Sequence, residues 1–532
     1  MSIYRCHKMA SSQTTRQNGD YYQENYEVEP AVGEELPSEL QQELARMEKL
    51  FTVDTAMLKK VTKRFGEELQ QGLEKDFQNI PMNLTWVTSW PTGEEKGTFL
   101  TLDLGGTNLR VCLITLGKRG EPDLVQEKYK LPESIKTGSA DELFDTMATS
   151  LQEFLDNNPE QAQKWSKDSP LPLGFTFSYP ATQERIDHGI LQTWTKGWDV
   201  KDVEGKDVAE LLTKAIEKRN LPIKLVALVN DTTGALIASA YNDPETIVGA
   251  IFGTGCNAAY MEKRKDIPKL ARYSQSSTMK SKPSSNQDSQ TNDADDEGTM
   301  AINCEYGAFD NSHSVLPRTK YDEIIDEESP RPGEQTFEKM SAGLYLGEIF
   351  RLVLVDLRDR GVVLQDKTAS GGGALTRSDA EGDRKGLDEP YALDTEFLAL
   401  VENDESPDLV ESRKRFEAHL HHAQSKKPIS PSREELLFFR RIAQLIAMRG
   451  ARLCACGVSA ICQRLGIDKG HVAADGSVAI KHPHFKSRWE KAVAEILEIE
   501  QGRVTLTSAE DGSGIGAAVI AALTLKSHNN AY

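Results

Sequence analysis

Apolar residues recur along this chain with two different periods, which predict helices alternating with strands. Between Leu58 and Leu73 they stand three and four residues apart, so we expect an amphipathic helix whose N-terminus Asp54 caps. Further helices of this period are predicted over 141–157, over 344–357 and from Ser432 onward. Small residues that follow Ser508 lead into another apolar helix.

Shorter apolar runs bounded by glycine or proline predict strands between these helices. Two of the runs, 99–114 and 247–262, each read as two strands around a glycine turn. Single strands are predicted near 126–131, 171–177 and 223–230. Short strands mixed with helices in this way predict an α/β protein of two domains, and the repeated glycine turn suggests that one domain plan is duplicated.

Three polar stretches carry no apolar period and interrupt this pattern. We predict a disordered acidic tail over 1–38, a flexible insertion over 264–299 and a flexible connection over 366–387. The predicted domains are then a smaller N-terminal one over 39–229, a larger C-terminal one over 230–526, and a short tail over 527–532.

The charge balance narrows the partners that this protein can have. Its 532 residues hold 63 Lys and Arg against 82 Asp and Glu, which gives a net charge of −19. Such a chain repels a phosphate backbone or an anionic membrane, so we expect neither nucleic-acid nor membrane binding. The stretches 21–39 and 380–411 hold most of the excess acid, and the rest of the chain is close to neutral.

Cysteine usage and the N-terminal residues indicate a cytoplasmic protein. There are seven cysteines, an odd number without a CxxC pair, so buried reduced thiols are expected rather than a zinc ribbon. The first ten residues lack the apolar core of a signal peptide, and the apolar stretch 517–525 is too short to span a bilayer.

The first glycine turn has the composition of a phosphate cradle. Two strands flank the run Gly-Gly-Thr-Asn at 105–108, where glycines let backbone N–H groups approach an anion and Thr and Asn add donors. Asp103 at the strand end could hold Mg²⁺ directly or through water, and Arg110 supplies a cation. An ordinary hairpin turn is the alternative for this segment taken alone.

Two further segments strengthen the phosphate hypothesis. The run Gly-Thr-Gly at 253–255 repeats the plan of strand, glycine turn and strand, so two such turns could face each other across a cleft. The run 511–516, Asp-Gly-Ser-Gly-Ile-Gly, opens a helix whose N-terminus suits a ribose or a phosphate. A Rossmann fingerprint is a poor match, and glycines for close helix packing are the alternative.

Candidate acid–base residues lie between the two turns. Asn230 and Asp231 follow an apolar strand, where a carboxylate could accept a proton from an attacking hydroxyl. Thr195 and Lys196 supply a donor and a cation. Ordinary turns and exposed loops explain each pair equally well when it is taken separately.

Carboxylates and amides further along the chain suggest recognition of a polyhydroxyl ligand. Glu305 and Glu338 stand in segments rich in Asn, Gln and Glu, whose oxygens accept hydrogen bonds from sugar hydroxyls. A glycosidase pair is the competing interpretation, but it leaves the two phosphate turns without a use.

Taken in order, these motifs resemble the hexokinase family, and the flanking segments resemble the single-unit fungal members in particular. The motifs that carry the resemblance lie at 102–110, 173–180, 194–197, 229–234, 252–257, 301–307 and 509–514. The similarity runs from about Leu40 to Leu525. It implies an actin-like, ribonuclease-H-like ATPase fold, in which a small and a large lobe close on a sugar.

The resemblance also implies a reaction and a set of site residues. The reaction is transfer of phosphate from ATP-Mg²⁺ to the 6-hydroxyl of a hexose (glucose, and also fructose and mannose), the first step of glycolysis. Catalysis falls to Asp231, as the base, and Lys196. The residues implied to hold the sugar are Ser178, Thr195, Lys196, Asn230, Asp231, Asn257, Glu305 and Glu338. Those implied along the nucleotide are Asp103, Gly105, Gly106, Thr107, Asn108, Arg110, Lys128, Thr254, Thr395, Gly476 and Ser477, with Asp103 also at the metal.

The chain departs from the family pattern at several places outside these residues. The segment Pro81–Val87 differs from the family's usual Pro-Met-Ile-Pro, and the stretch 264–299 is longer and more polar. The run 477–481, Ser-Val-Ala-Ile-Lys, lacks the aromatic residue that the family pattern has after Val478. A second hypothesis therefore stays open, a catalytically weak, sugar-sensing regulatory protein of the same fold. A homodimer or a regulatory partner is a possible assembly for either hypothesis.

Overall fold

The structure is a computed structural model, and it describes residues 36–105, 108–118, 121–194, 198–273, 298–365, 385–422, 427–509 and 511–529. Most of the predicted tail, insertion and connection lie outside these ranges. The described strands are β1 (Asn83–Leu84), β2 (Gly97–Leu104), β3 (Asn108–Lys118), β4 (Glu121–Lys130), β5 (Leu171–Phe177), β6 (Ala181–Thr182), β7 (Ile190–Leu191), β8 (Ile223–Val229), β9 (Thr246–Phe252), β10 (Cys256–Lys263), β11 (Thr299–Asn303), β12 (Lys385–Gly386), β13 (Leu420–His421), β14 (Gly470–Asp475) and β15 (Val504–Ser508).

The helices confirm the apolar periods seen in the sequence. They are α1 (Ser38–Phe51), α2 (Thr55–Glu74), α3 (Ala140–Asn157), α4 (Pro159–Ala162), α5 (Val208–Lys218), α6 (Asp231–Asn242), α7 (Lys320–Glu328), α8 (Thr336–Ser341), α9 (Gly343–Asp359), α10 (Thr395–Glu402), α11 (Val410–His419), α12 (Arg433–Leu465), α13 (Ser477–Lys481), α14 (Phe485–Leu497) and α15 (Gly512–Asn529). Asp54 caps α2 as predicted, because its carboxylate accepts the Met57 N–H at 2.8 Å. Ser432 and Glu435 form the predicted capping box of α12.

The chain builds two sheets of the same plan. In the first, the order is β4-β3-β2-β5-β8, with β2, β3 and β4 antiparallel and β5 and β8 parallel to β2. In the second, the order is β1-β11-β10-β9-β14-β15, with β9, β10 and β11 antiparallel and β14 and β15 parallel to β9. The duplication suggested by the two glycine turns is therefore visible as repeated topology.

Each sheet forms the centre of one lobe, and helices from both ends of the chain change lobes. The small-lobe core joins β2, β3, β5 and β8 to α3 and α5. The large-lobe cores include α1 and α2, although these helices precede the small-lobe strands in sequence. The C-terminal α15 packs instead on the small-lobe sheet. The predicted domain boundary at residue 230 stays a prediction. The first two helices pack in the large lobe and the last helix packs on the small-lobe sheet, so neither lobe is a continuous stretch of the sequence.

The long helix α12 is the central helix of the large lobe. Its length and composition would allow it to cross a membrane, but 94% of its most apolar window is buried inside the protein. It contributes to both large-lobe cores and carries Cys454, Cys456 and Cys462. The six cysteines in the described part of the chain are all buried and unpaired, as expected from the sequence.

Candidate active site

The cleft between the lobes begins where β8 ends. Asn230 caps α6, and its side-chain oxygen accepts the Thr232 N–H at 2.9 Å. Asp231 opens the same helix, and its carboxylate accepts the Thr232 N–H at 2.7 Å and the Thr232 hydroxyl at 3.2 Å. A helix N-terminus favours a negative charge, so the start of α6 stabilises the Asp231 carboxylate. From the sequence alone, an ordinary turn was an equally good explanation of Asn230 and Asp231.

Amide and carboxylate side chains from the second sheet are joined in one hydrogen-bond network. Asn257 Nδ2 donates to Asn303 Oδ1 at 2.8 Å, to Glu305 Oε1 at 3.2 Å and to Thr232 Oγ1 at 3.0 Å. Asn303 Nδ2 also donates to Glu305 Oε1, at 2.8 Å. The Asn230 amide reaches the same oxygen at 3.5 Å. The network fixes the orientation of these polar groups before any ligand arrives.

Backbone geometry presents Glu305 and Glu338 to this network. Glu305 has the left-handed conformation, with φ 56°, and its N–H donates to Asn257 Oδ1 at 2.8 Å. Glu338 lies in α8, and its Oε2 accepts the Cys256 N–H at 3.2 Å. A Cβ on Gly255 would stand 2.6 Å from Glu338 Oε2, so a larger residue there would displace the Glu338 carboxylate.

Ser178 belongs to the same edge of the small-lobe sheet. It directly follows β5, whose parallel neighbour β8 leads into Asn230. Carboxyl ends of parallel strands meet at one edge, which is where open α/β sheets bind ligands. The adjoining cavity is lined by Asn83, Thr85, Phe177, Tyr179, Ala181, Gln183, Leu228, Val229, Asn230 and Asn303.

Asp103 stands at the end of β2 within a network of its own. Arg110 on β3 contacts Asp103 Oδ2 at 3.3 Å and Asp511 Oδ1 at 2.6 Å, and it donates to Ser513 Oγ at 2.7 Å. Ser513 Oγ donates in turn to Asp103 Oδ2 at 2.8 Å. The pKa of Asp103 is raised above its usual value, because burial and the nearby charge of Asp231 both disfavour ionisation. Arg110 and Ser513 offset part of this rise.

The second glycine turn is built from glycines of three different segments. The Gly343 N–H donates to Gly253 O at 2.7 Å, and Thr395 Oγ1 donates to Gly343 O at 2.5 Å. Gly476 has φ 110°, and a Cβ there would stand 2.5 Å from the Phe252 carbonyl. Thr254, Thr395, Gly476 and Ser477 are thereby gathered at one place, although up to 223 residues separate them in sequence.

The remaining predicted residues divide into described and undescribed ones. Gly105 N–H donates to Asn108 O at 3.1 Å, which closes the first turn. Lys128 is exposed on β4, in register with Arg110. Gly106, Thr107, Thr195 and Lys196 lie outside the described residues.

Several residues of the site were not singled out from the sequence. Thr232, Asn303, Asp511 and Ser513 each sit inside a motif that the sequence did mark, but their roles depend on contacts with distant segments. Gly343 had no sequence signal, since a glycine at the start of a helix is common. One sequence signal bears on the position of these residues. The two glycine turns repeat one plan, which suggested that they face each other across a cleft.

The fold and the site together define a class of protein. Two ribonuclease-H-like sheets flank a cleft. The cleft holds a carboxylate at the start of a helix, amide and carboxylate groups that can accept hydrogen bonds from a sugar, and two glycine turns. This is the arrangement of a two-lobed, actin-like sugar kinase. Family models described as hexokinase match residues 43–241 and 247–523. The chain belongs to the hexokinase family, as its motifs predicted.

Individual relatives agree with this assignment. A hexokinase of Emericella nidulans is 50% identical over 92% of this chain and 92% of its own length. Hexokinase-2 of Saccharomyces cerevisiae is 46% identical over 92% of this chain and 94% of its own length. The solved structure of a hexokinase from Schistosoma mansoni complexed with glucose is similar with a TM-score of 0.72 and 33% identity, covering 91% of this chain and 99% of that one.

Proposed function

We propose that this chain transfers the γ-phosphoryl group of ATP to the 6-hydroxyl of glucose, fructose or mannose, the first step of glycolysis. Family membership supports ATP-dependent phosphorylation of a hexose. The observation that carries the finer proposal is Asp231, a carboxylate at the start of α6 beside a preformed set of amide and carboxylate groups.

Sugar recognition falls to the network around Glu305. Asn257 and Asn303 both donate to Glu305 Oε1 and so orient its carboxylate, which we expect to accept a hydrogen bond from a sugar hydroxyl. Glu338, held by the Cys256 N–H, adds a second carboxylate. Ser178, Thr195 and Asn230 complete the proposed set. Fixed acceptors lower the ordering cost of binding and hold the reacting hydroxyl in place.

Asp231 is the proposed base. It would take the proton of the 6-hydroxyl as that oxygen attacks the γ-phosphorus, and the bond from phosphorus to the bridging oxygen of ADP would break. Phosphoryl transfer relies mostly on positioning and charge neutralisation, and a positioned base contributes typically ~10²–10⁴-fold. Lys196 would offset charge on the transferred group.

The residues near Asp103 fit a magnesium ion that arrives with ATP. In the described part of the chain no group of three or more His, Cys, Asp and Glu could hold a metal ion. Two carboxylates, Asp103 and Asp231, do lie near each other, and the charge of Asp231 raises the pKa of Asp103. One or two carboxylates with substrate phosphates are the usual ligands of Mg²⁺, which would neutralise phosphate charge here.

Nucleotide contacts are proposed for both glycine turns. Gly105 to Asn108 of the small lobe and Thr254, Thr395, Gly476 and Ser477 of the large lobe would follow the phosphates and the nucleoside. Arg110 and Lys128 remain proposals, since the described contacts of Arg110 are with Asp103, Asp511 and Ser513. We place the activity in the cytoplasm, which is supported by the six buried thiols without a disulfide in the described part of the chain.

The test is Asp231→Asn, assayed by hexose-dependent ADP release and by hexose binding in a calorimeter. We expect turnover to fall by about 10²–10⁴-fold, with binding still measurable. Asp207→Asn is the matched control, since it makes the same change at the start of α5, where asparagine caps equally well. Near-wild-type turnover would remove Asp231 from the role of base. Hexose binding by the wild type without ADP release would support the regulatory hypothesis.

A further inference from the structure

Lys269 is a buried cation that the proposed function does not use. Its side chain is 2% exposed, and its ammonium group donates to Pro81 O and to Met82 O, both at 2.7 Å. Its backbone N–H donates to Leu73 O at 3.1 Å, so the residue is also fixed to the end of α2. A charged side chain is rarely buried unless its hydrogen bonds are made, and here backbone carbonyl groups accept them.

The two ends of this contact lie in segments where the chain departs from the family pattern. Pro81 and Met82 open the segment 81–87, and Lys269 belongs to the stretch 264–299. Neither segment contributes a residue to the proposed hexose or nucleotide contacts. The ammonium group therefore joins two departures from the family to each other.

The backbone that Lys269 holds has a conformation that needs support. Met82 has φ 49°, in the left-handed region that residues other than glycine rarely adopt. Its side chain is fully buried, and a Cβ on Gly72 of α2 would stand 2.6 Å from Met82 Cγ. Such a conformation persists only where the surrounding structure imposes it. The Lys269 ammonium group binds the carbonyl groups before and after the Met82 Cα, and so supplies part of that support.

The same segment is hydrogen-bonded in turn to the strand that leads into Glu305. The Met82 N–H donates to Cys304 O at 3.2 Å, and Asn83 pairs with Asn303 where β1 meets β11. Asn303 Nδ2 donates to Glu305 Oε1 at 2.8 Å. A shift of the Met82 backbone would therefore move the two residues that directly precede Glu305.

We propose that Lys269 is a positioning residue, whose ammonium group fixes β1 against β11 and so sets where Asn303 and Glu305 stand for the hexose. The inference rests on the proposed role of Glu305 in sugar binding. Because Lys269 acts through two backbone segments, its effect belongs to hexose affinity more than to the chemical step. Loss of hydrogen bonds from a charged group, transmitted only in part, should change that affinity about three- to tenfold.

The strength of this contact should depend on pH. Burial lowers the pKa of Lys269 to about 8; Asp76, at 3.9 Å, raises it, and Arg272 lowers it. Burial and the Asp76 charge raise the pKa of Tyr273, so this neighbouring hydroxyl stays neutral in that range. Above the pKa of Lys269 a neutral amine still donates to both carbonyl groups, but each bond loses its charge assistance. Hexose affinity should therefore fall as the pH rises through about 8.

The test compares Lys269→Met with Lys265→Met in the full-length protein. Methionine is an unbranched side chain like lysine, without the charge or the hydrogen-bond donors. Lys265 has an exposed side chain in the same segment, so the substitution there removes a charge and leaves the contact intact. Two measurements are made: hydrogen exchange of peptides covering 82–84 and 300–305 without substrates, and kcat and KM for glucose at saturating ATP-Mg²⁺. The kinetics run from neutral pH to well above the pKa of Lys269.

We expect Lys269→Met to speed exchange in both peptides and to raise the glucose KM about three- to tenfold near neutral pH, with a smaller change in kcat. As the pH rises through about 8, the wild-type KM should approach that of Lys269→Met, so the ratio of the two values falls. Lys265→Met should match the wild type at each pH. A ratio that stays the same at every pH would overturn the proposal, since a residue that only stabilised the fold gives that result.

Asp76→Asn is the second variant, and it decides the question even if Lys269→Met does not fold. Without this carboxylate the pKa of Lys269 falls further, so the rise in glucose KM should begin at a lower pH than in the wild type. Asp266→Asn is the matched control, because it makes the same change at an exposed carboxylate of the same segment as Lys269. It should leave the rise at the wild-type pH.

Two further results would overturn the proposal. The first is a glucose KM in Lys269→Met that equals the KM of Lys265→Met. The second is a rise in glucose KM at the same pH in Asp76→Asn and in the wild type, which would mean that another group causes it. A wild type without hexose-dependent ADP release would instead contradict the proposed function, while exchange at 82–84 and 300–305 would still decide whether Lys269 holds β1 against β11.

Discussion

Arg110 stabilises the charge of Asp103, a carboxylate that burial alone would tend to neutralise. Burial raises the pKa of Asp103, and the adjacent guanidinium is the largest influence that lowers it. Asp511 and Ser513 hold Arg110 in place from the start of α15. At this position an arginine acts through another residue, so its effect should be visible in the pH dependence of the reaction.

Replacing Arg110 by Gln should therefore move the acid limb of kcat/KM for ATP to higher pH. Without the cation, the pKa of Asp103 rises further, and on acidification the ionised carboxylate is lost earlier. Loss of charged hydrogen bonds of this kind should lower kcat/KM about 10–100-fold near neutral pH. The measurement is a pH–rate profile from acid to neutral pH. Arg110→Lys is the control and should return the limb part of the way.

An acid limb that does not move in Arg110→Gln would show that the ionisation of Asp103 does not limit the reaction. A fall in kcat/KM that is equal at every pH would then assign Arg110 to direct contact with phosphate.

Residue types in the site were largely predictable, whereas their partners were not. The sequence marked Asn230 and Asp231 because they follow an apolar strand, and Glu305 because it stands in a segment rich in Asn and Glu. It could not mark Thr232 or Asn303 as members of the Glu305 network, since both gain that role from contacts with Asn257, which is distant from them in sequence. Hydrogen bonds between side chains that are distant in sequence form only in the folded chain, and they produce no periodic pattern in the local sequence.

At the scale of elements, the helices α6 and α15 cross at a contact made of glycines. A Cβ on Gly516 would stand 2.1 Å from Gly234 O, and one on Gly234 would stand 2.8 Å from Gly512 O. The helices come from equivalent positions in the two repeats, each following the last strand of its sheet. The sequence interpretation of 511–516 left a ligand site and close packing open, and the structure shows that packing occurs.

Gly516→Ala should therefore destabilise the protein by about 1–3 kcal/mol, because the added methyl group forces the two helices apart. Gly66→Ala is the matched control. Gly66 lies inside α2 with no atom within 4 Å of its would-be Cβ, so alanine there should stabilise by about 0.5–1 kcal/mol through helix propensity. Urea unfolding of both variants measures the two effects, and equal stability of the two would show that the crossing can relax at no cost.

Elements with a sustained period were predicted well, and the shortest ones were not. The helices α2, α3, α9 and α12 and the paired strands around both glycine turns lie where the apolar pattern placed them. Strands β6, β7, β12 and β13 hold two residues each, which is too few to show a period of two. Such strands form only because neighbouring segments bring their backbone groups into register.

For the whole molecule, the route of the chain matters more than the order of its motifs. Apolar periodicity indicates that α1, α2 and α15 each have a face to bury, but it does not indicate which sheet covers that face. The first two pack in the large lobe, and the last packs on the small-lobe sheet. A division of the sequence into consecutive domains therefore predicts the two lobes but not the helices exchanged between them.

Removal of α15 should consequently unfold the small lobe, although this helix is the last element of the chain. Ala517 and its neighbours in α15 are buried, and a Cβ on Gly174 in β5 would stand 2.7 Å from Ala517 O, so the helix lies directly on the strand.

In a protein ending at Ala509 we expect rapid hydrogen exchange in β2, β5 and β8. Protection should be retained in β9 and β14, which are covered by α6 and by α12 to α14. Removal of 526–532 alone, where Lys526 and Ser527 are exposed, is the control and should change neither sheet. Retained protection of β5 without α15 would mean that the small-lobe sheet is stabilised from its α3 and α5 face alone.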